Sequence, residues 1–226
     1  NSAKYFGGGI DLYNSAARIE YSDITENLAS TDIGIGGGIN CEQDSSTIAS
    51  CNISFNYASN VGGAIACYQS SPDIYNCFIT NNWTDYVSGA IDLEGSAPRI
   101  INCTIVVDAN GSRVSPLVPR TGGIGAYLGS NPTITNCIIW GTGDELYNCS
   151  ATYSCIEDAD PGQGNTSLDP LFTTGPLGPY YLSQTAAGQL EDSPCADAGQ
   201  SNILMLRPWV HAELRVGTTR TDGVTD

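Results

Sequence analysis

The chain has 226 residues, with 24 acidic against 8 basic side chains and a formal charge of −16 at pH 7. That balance leaves no basic stripe to displace counterions. It argues against nucleic acid and anionic membrane as partners, and leaves divalent cations and cationic partners open. A hydrophobic content of 41% suffices for a core, and no apolar run of the roughly 18 residues needed to cross a bilayer occurs.

Self-similarity is the dominant signal. GGGIDLYNSAARIEYSDITEN at 7–27 recurs as GGGINCEQDSSTIASCNISFN at 36–56 and GGAIACYQSSPDIYNCFITNN at 62–82. It returns as SGAIDLEGSAPRIINCTIVVD at 88–108 and GGIGAYLGSNPTITNCIIW at 122–140, so the spacings are 29, 26, 26 and 34. Asn1-Ser2-Ala3 before Gly7-Gly8-Gly9 matches Asn56-Tyr57-Ala58 before Gly62-Gly63-Ala64. The chain is therefore expected to open at a repeat's last turn, with an upstream coil missing.

Within the copy at 62–82, Ile65 and Cys67 alternate with Ala66 and Tyr68, the period of a short strand with Ile65 and Cys67 inward. Ser70-Ser71-Pro72 turns the chain, because proline has no N–H for a ladder and fixes its own φ. Asp73-Ile74-Tyr75 makes a second strand and Cys77-Phe78-Ile79 a third. Ile74 and Cys77 both point inward but lie three positions apart, so a bend falls near Asn76. Three short strands and three bends per repeat describe one triangular coil of an all-β parallel β-helix.

The columns agree with that reading. Ile48, Ile74, Ile100 and Ile134 share one position, and Ile24, Ile53, Ile79, Ile105 and Ile139 another. Cys51, Cys77, Cys103 and Cys137 form a third, and Leu12, Cys41, Cys67, Leu93 and Tyr127 a fourth. Counterparts in successive coils stack about 4.8 Å apart. Asn27, Asn56 and Asn82 share a position after the third strand, followed by Asp108. A buried amide there can bond the backbone above and below as a ladder. Cysteines in these columns replace Leu, Ile or Tyr of sister coils and are expected to pack as reduced hydrophobes. Cys149 and Cys155 lie outside the columns as a candidate pair, with Cys195 left over.

These motifs resemble the parallel β-helix repeats of the pectate-lyase-like superfamily, in the secreted bacterial form GGGIxCxxSSPxIxNCxIxxNxA. The resemblance covers residues 1–140 well. It extends to Tyr153-Ser154-Cys155, Asp169-Pro170-Leu171-Phe172, the segment 193–199 and Arg220-Thr221-Asp222-Gly223. It implies a right-handed coil, a secreted or cell-surface location, and a substrate groove on the face of the first strands. The last of these segments usually precedes one more strand, so the C-terminus is also expected to be truncated.

On that face one outward column reads Asp11, Asn40, Ala66, Asp92 and Ala126, and the next Tyr13, Glu42, Tyr68, Glu94 and Leu128. Asp92 and Glu94 stand about 7 Å apart on one strand, a spacing that suits an inverting glycosidase pair. An insertion within 106–121 carries Arg113 and Arg120. With acids holding Ca²⁺, an arginine beside a sugar carboxylate is what the resemblance implies for a lyase. Asp11, Asp92 and Glu94 are the candidate Ca²⁺ ligands. Tyr13, Tyr68, Tyr75 and Trp83 are candidate sugar-stacking groups. The bland alternative for the acids is a solvated strand face, with an insertion of the kind that coil corners tolerate. No paired-Asp hydrolase signature or Gly-His-Gly occurs, and the one histidine, His211, falls in the irregular tail.

Six Asn-X-Ser/Thr sequons occur; Asn110, in the insertion, is the best acceptor, whereas Asn82 belongs to the ladder. Beyond 140 the repeat decays, with one strand-like piece at 151–156. Residues 1–172 read as coils and 173–226 as an irregular segment that packs on the last coil or contacts a neighbour. The preferred expectation is an extracellular structural or adhesive module, with polysaccharide, surface protein, self-assembly or upstream coils as partners. The alternative is a polysaccharide lyase or inverting hydrolase.

Overall fold

A computed structural model describes residues 1–31, 33–106, 121–141, 144–175 and 178–200. The chain winds as a parallel β-helix. Three six-stranded sheets run the length of the coils, and no α-helix or apolar membrane-crossing helix occurs among the described residues.

The first sheet is built from Ile10–Tyr13, Ile39–Glu42, Ile65–Tyr68, Ile91–Glu94, Thr121–Tyr127 and Asp144–Tyr147. Pairing is in register: Ile65 stands between Ile39 and Ile91, and Cys67 between Cys41 and Leu93. In the second sheet Ile74 stands between Ile48 and Ile100, and in the third Ile79 stands between Ile53 and Ile105. All of these isoleucines are fully buried. Stacked like on like, they leave no room for water between rungs, and each contributes on the order of 2 kcal/mol of burial. The third strand of the repeat is Phe78–Thr80, one residue later than its sequence pattern suggests, because Cys77 still belongs to the bend.

The first coils carry one element beyond the three strands expected. Ser2–Ala3, Leu28–Ala29, Tyr57–Ala58 and Trp83–Thr84 form a short fourth sheet after the third corner. The corners share one backbone device. Asn14, Gln43, Gln69, Gly95 and Leu128 follow the first strands with φ of 48°, 51°, 49°, 58° and 52°. Ser50, Asn76, Asn102 and Asn136 hold φ of 51°, 54°, 53° and 54° between the second and third sheets. A single left-handed residue reverses the direction of the pleat, which is how inward side chains three positions apart, such as Ile74 and Cys77, become possible. Asparagine tolerates this region at little cost, so it recurs there.

Corners also collect the buried polar groups. Asn27 donates from its main-chain N–H and its Nδ2 to Asn56 Oδ1, at 3.0 and 2.9 Å. Asn56 does the same to Asn82 Oδ1, at 2.9 Å in each case. The amides of Asn56 and Asn82 then donate to the Ile24 and Ile53 carbonyls at 2.8 Å. Asp108, next in that column, lies outside the described residues. A second, serine-based series caps the opposite corner. Ser70 Oγ accepts the Asp44 N–H at 2.9 Å, Ser96 Oγ accepts the Ser70 N–H at 3.0 Å, and Ser130 Oγ accepts the Ser96 N–H at 2.9 Å.

All nine cysteines are free thiols. Cys51, Cys77, Cys103 and Cys137 stack as a buried column, and each Sγ donates to the carbonyl two residues before it. The candidate Cys149–Cys155 pair is not formed. Cys149 turns its Sγ to the Ile124 carbonyl at 3.8 Å, whereas Cys155 packs with Cys195, Ile138 and Leu182.

That second apolar cluster is made by the segment after the coils. A hairpin of Phe172–Gly175 and Gly178–Leu182 lies against the outside of the third sheet, where Tyr180 meets Phe78 and Phe172 at 5.6 and 5.3 Å between ring centroids. Gln200 and Asn136 exchange two hydrogen bonds, at 2.9 and 3.1 Å, and fasten its end. The segment therefore covers a sheet face and not simply the end of the last coil. The stretch 203–216, His211 and the 220–223 motif lie outside the described residues.

Replacing Asn56 by Ala removes the acceptor for two Asn27 donors and two bonds of its own. Equilibrium unfolding in urea should show a loss of about 3 kcal/mol. Asn52→Ala, whose amide makes one exposed bond to Asp23, should cost less than about 0.5 kcal/mol. A reducing agent should leave the melting temperature unchanged, because the thiols carry no cross-link.

Candidate functional site

Outward side chains of the first sheet stand in two columns. Strand register places Asp11, Asn40, Ala66, Asp92 and Gly125 in one, and Tyr13, Glu42, Tyr68, Glu94 and Tyr127 in the other. The last member of each column differs from the sequence expectation. Gly125 replaces Ala126, and Tyr127 replaces Leu128. Ala126 therefore takes the inward place beside Leu93 that the repeat alignment gives to Tyr127. Ile124 stands one rung above Ile91, an offset of 33, while Ser130 sits above Ser96 at 34. One extra residue enters at the corner after Tyr127, so an alignment with a single offset shifts the strand by one and turns its faces over.

Asp92 and Glu94 share this face, two residues apart on one strand. Asp92 is only 2% exposed, and Glu94 is half-buried. Burial pushes the Asp92 carboxyl up to about 7; the Ser88 hydroxyl offsets part of the rise and the Glu94 charge adds to it. Neither Ser88 Oγ nor Asp92 Oδ1 has a partner in hydrogen-bonding geometry. Ser88 is itself unusual. It holds φ 56° at the corner where Gly7, Gly36 and Gly62 sit in earlier coils, and its side chain occupies the space over Gly125. A residue with a Cβ in that conformation costs about 1 kcal/mol or more, and a Cβ on Gly125 would collide with Ser88 Oγ. A strained serine, a buried acid and a glycine gap thus coincide at one point of the face.

The other candidates are not brought together. Asp11 stands three strands from Asp92, with Asn40 and Ala66 between them, a separation of about 14 Å. One ion cannot bridge it, so Asp11, Asp92 and Glu94 are not a Ca²⁺ ligand set. Asp11 accepts instead from Asn40 Nδ2 at 2.8 Å. The four aromatic candidates lie on three sheets. Tyr13 and Tyr68 are on the first, 64% and 42% exposed. Tyr75 is on the second, while Trp83 is on the short fourth sheet and packs against Tyr57 at 5.7 Å. Only Tyr13 and Tyr68 share a platform. Arg113, Arg120 and the sequon Asn110 lie outside the described residues. Asn82 is buried in its ladder.

A group that the repeat pattern does not reveal lies at the last coil. Carboxylate oxygens of Asp144, Asp158 and Asp160 approach within 4.8 Å of one another. Asp144 opens the last strand of the first sheet, and Asp158 and Asp160 follow Cys155–Ile156 of the third. Beside them Glu145 is pushed up to about 8 by burial and by the Asp158 and Glu157 charges. Asp144 and Asp160 are raised by partial burial and by Asp158. Coil shortening hides this cluster from the sequence: Ile139 pairs with Ile156 only 17 residues on, so the usual spacing does not align the acids.

No family model matches the chain, and no curated protein or solved structure matches it.

Because Asp92 is protonated more readily in the folded than in the unfolded chain, its ionisation carries no penalty at low pH and destabilises as pH rises from about 4 to about 7. Asp92→Asn removes that dependence. Unfolding free energies measured across this range should show the variant gaining on the parent by on the order of 4 kcal/mol, level again above pH 8.

Proposed function

We propose that the chain is a structural and adhesive β-helix module that presents its first-sheet face to a glycan or protein partner. The observation that carries this reading is the outward column in which Tyr13 and Tyr68 alternate with Glu42 and Glu94 in strict register. Both rings are substantially exposed on a rigid backbone, and two strands separate them, a span of about 9.6 Å. That is about the length of a disaccharide unit, so an extended glycan lying along the stack would meet a ring at every second sugar. Stacking on the ring face and acceptance of sugar hydroxyls by the intervening glutamates are complementary contacts. The repeat pattern that resembles the pectate-lyase-like superfamily supports a secreted or cell-surface setting for such a rod.

The second reading, a polysaccharide-degrading enzyme, draws on Asp92, whose affinity for a proton near neutral pH suits a general acid beside Glu94. Its weakness is access. A proton donor must touch the glycosidic oxygen, and Asp92 is buried beneath its neighbours.

A glycan array probed with the full chain, followed by a turnover screen on the glycans it retains, separates the two. The expected result is binding weakened about tenfold or more by Tyr13→Ala with Tyr68→Ala, unchanged by Asp92→Asn, and no released product. Turnover that Asp92→Asn abolishes would replace the adhesive reading with the enzymatic one.

A further inference from the structure

We propose that Asp144, Asp158 and Asp160, backed by Glu145, form a binding site for a divalent cation of the Ca²⁺ class. Three carboxylates alone would be an acidic patch. Their oxygens, however, all fall within 4.8 Å of one another, the largest separation that two ligands of one Ca²⁺ can have at about 2.4 Å each.

An observation independent of the trio points the same way. Glu145 is 2% exposed, and its Oε2 has no hydrogen-bond partner. Its carboxyl faces Asp158, and its main-chain N–H reaches Asp158 Oδ2 at 3.4 Å. Asp160 Oδ2 is also shut off from solvent without a partner. An orphaned buried carboxyl facing Asp158 at the edge of this cluster must take up a proton or be joined by a positive charge.

The described residues supply no such charge there. Residues 121–200 contain no Lys, Arg or His. Among the described residues, Arg18 pairs with Glu20, Arg99 with Asp73, and Lys4 lies over the Tyr5 ring. None of the described basic groups is left to neutralise the cluster, and an external cation is the source this proposal names.

Donor chemistry selects its kind. The ligands are hard oxygens with no imidazole, which disfavours zinc and copper and suits calcium or magnesium. Cys149, electrostatically coupled to Asp144 and Asp160, directs its Sγ to the Ile124 carbonyl and adds no soft donor. Acids contributed by one strand and by the turn that follows another make an adjustable cage. Calcium accepts that more readily than magnesium, which demands a tight octahedron. The site would tie the end of the first sheet to the turn after the third, closing a coil that is shorter than the rest. It is independent of the glycan reading, because it lies off the tyrosine column.

The test uses the full chain, stripped with a chelator and titrated with CaCl₂ alone in a calorimeter, with MgCl₂ as the comparison. One Ca²⁺ should bind with a dissociation constant in the range of about 10⁻⁴–10⁻³ M or tighter, and Mg²⁺ more weakly. At a hundredfold excess over that constant the melting temperature should rise by about 5–10 °C. Asp158→Asn and, separately, Asp160→Asn should each weaken binding at least tenfold, whereas Glu42→Gln should leave it unchanged. If one aspartate variant fails to fold, the other and the titration of the parent chain still decide. Absence of Ca²⁺ binding by the parent, or undiminished binding by a folded variant, would overturn the site and leave Glu145 and Asp158 sharing a proton instead.

Discussion

Vertical registration of successive coils is the constraint on which the molecule depends. A parallel strand hydrogen-bonds only to the strand directly above and below it, and each rung of the core touches its counterpart at one strand spacing. Ile39, Ile65, Ile91 and Ile124 show the result: identical side chains at one place in four coils, each completely withdrawn from water. A substitution in such a column is felt by two neighbours at once, so the core tolerates only residues of similar volume. Cysteine meets that demand as a small hydrophobe, and in the column of Cys51, Cys77, Cys103 and Cys137 each thiol bonds a carbonyl of its own coil.

The polar corners follow from the same constraint. Any group that turns inward at a bend meets its own kind above and below, so amides and hydroxyls bond in series. Asn27, Asn56 and Asn82 use both amide functions in this way, and Ser70, Ser96 and Ser130 use their hydroxyl oxygens. Three carboxyls break the rule. Carboxyl oxygens of Asp92, Glu145 and Asp160 are shut off without partners, the first on the strand before the register change at Thr121–Tyr127 and the other two in the shortened last coil. Departures from local satisfaction of this sort concentrate at sites with a task beyond folding.

Much of this architecture is legible in the sequence, because a repeat reports three-dimensional neighbours through simple counting. The core columns, the asparagine series and the bend at Asn76 all follow from one period and one alternation. Counting fails where the period changes. Tyr127 and Ala126 exchange faces because one residue is added after the strand and not before it. The fourth sheet escapes notice because two residues are too few to alternate. The separation of Asp11 from Asp92 is implicit in the period but is lost when carboxylates are grouped by face alone. The acidic cluster cannot be read from the chain, since its members belong to different sheets of a coil with its own spacing.

The left-handed corner residues have one more consequence. The left-handed residue after each first strand, Asn14, Gln43, Gln69, Gly95 and Leu128, is exposed, and strand pairing does not depend on how many residues lie between coils. Ile91 and Ile124 remain paired although 33 positions separate them, against 26 between Ile65 and Ile91. The corners are thus grafting points: a strand can be kept while the excursion between two strands lengthens, and the scaffold does not register the change. A rod of this construction can acquire new surface chemistry one excursion at a time, without renegotiating its interior.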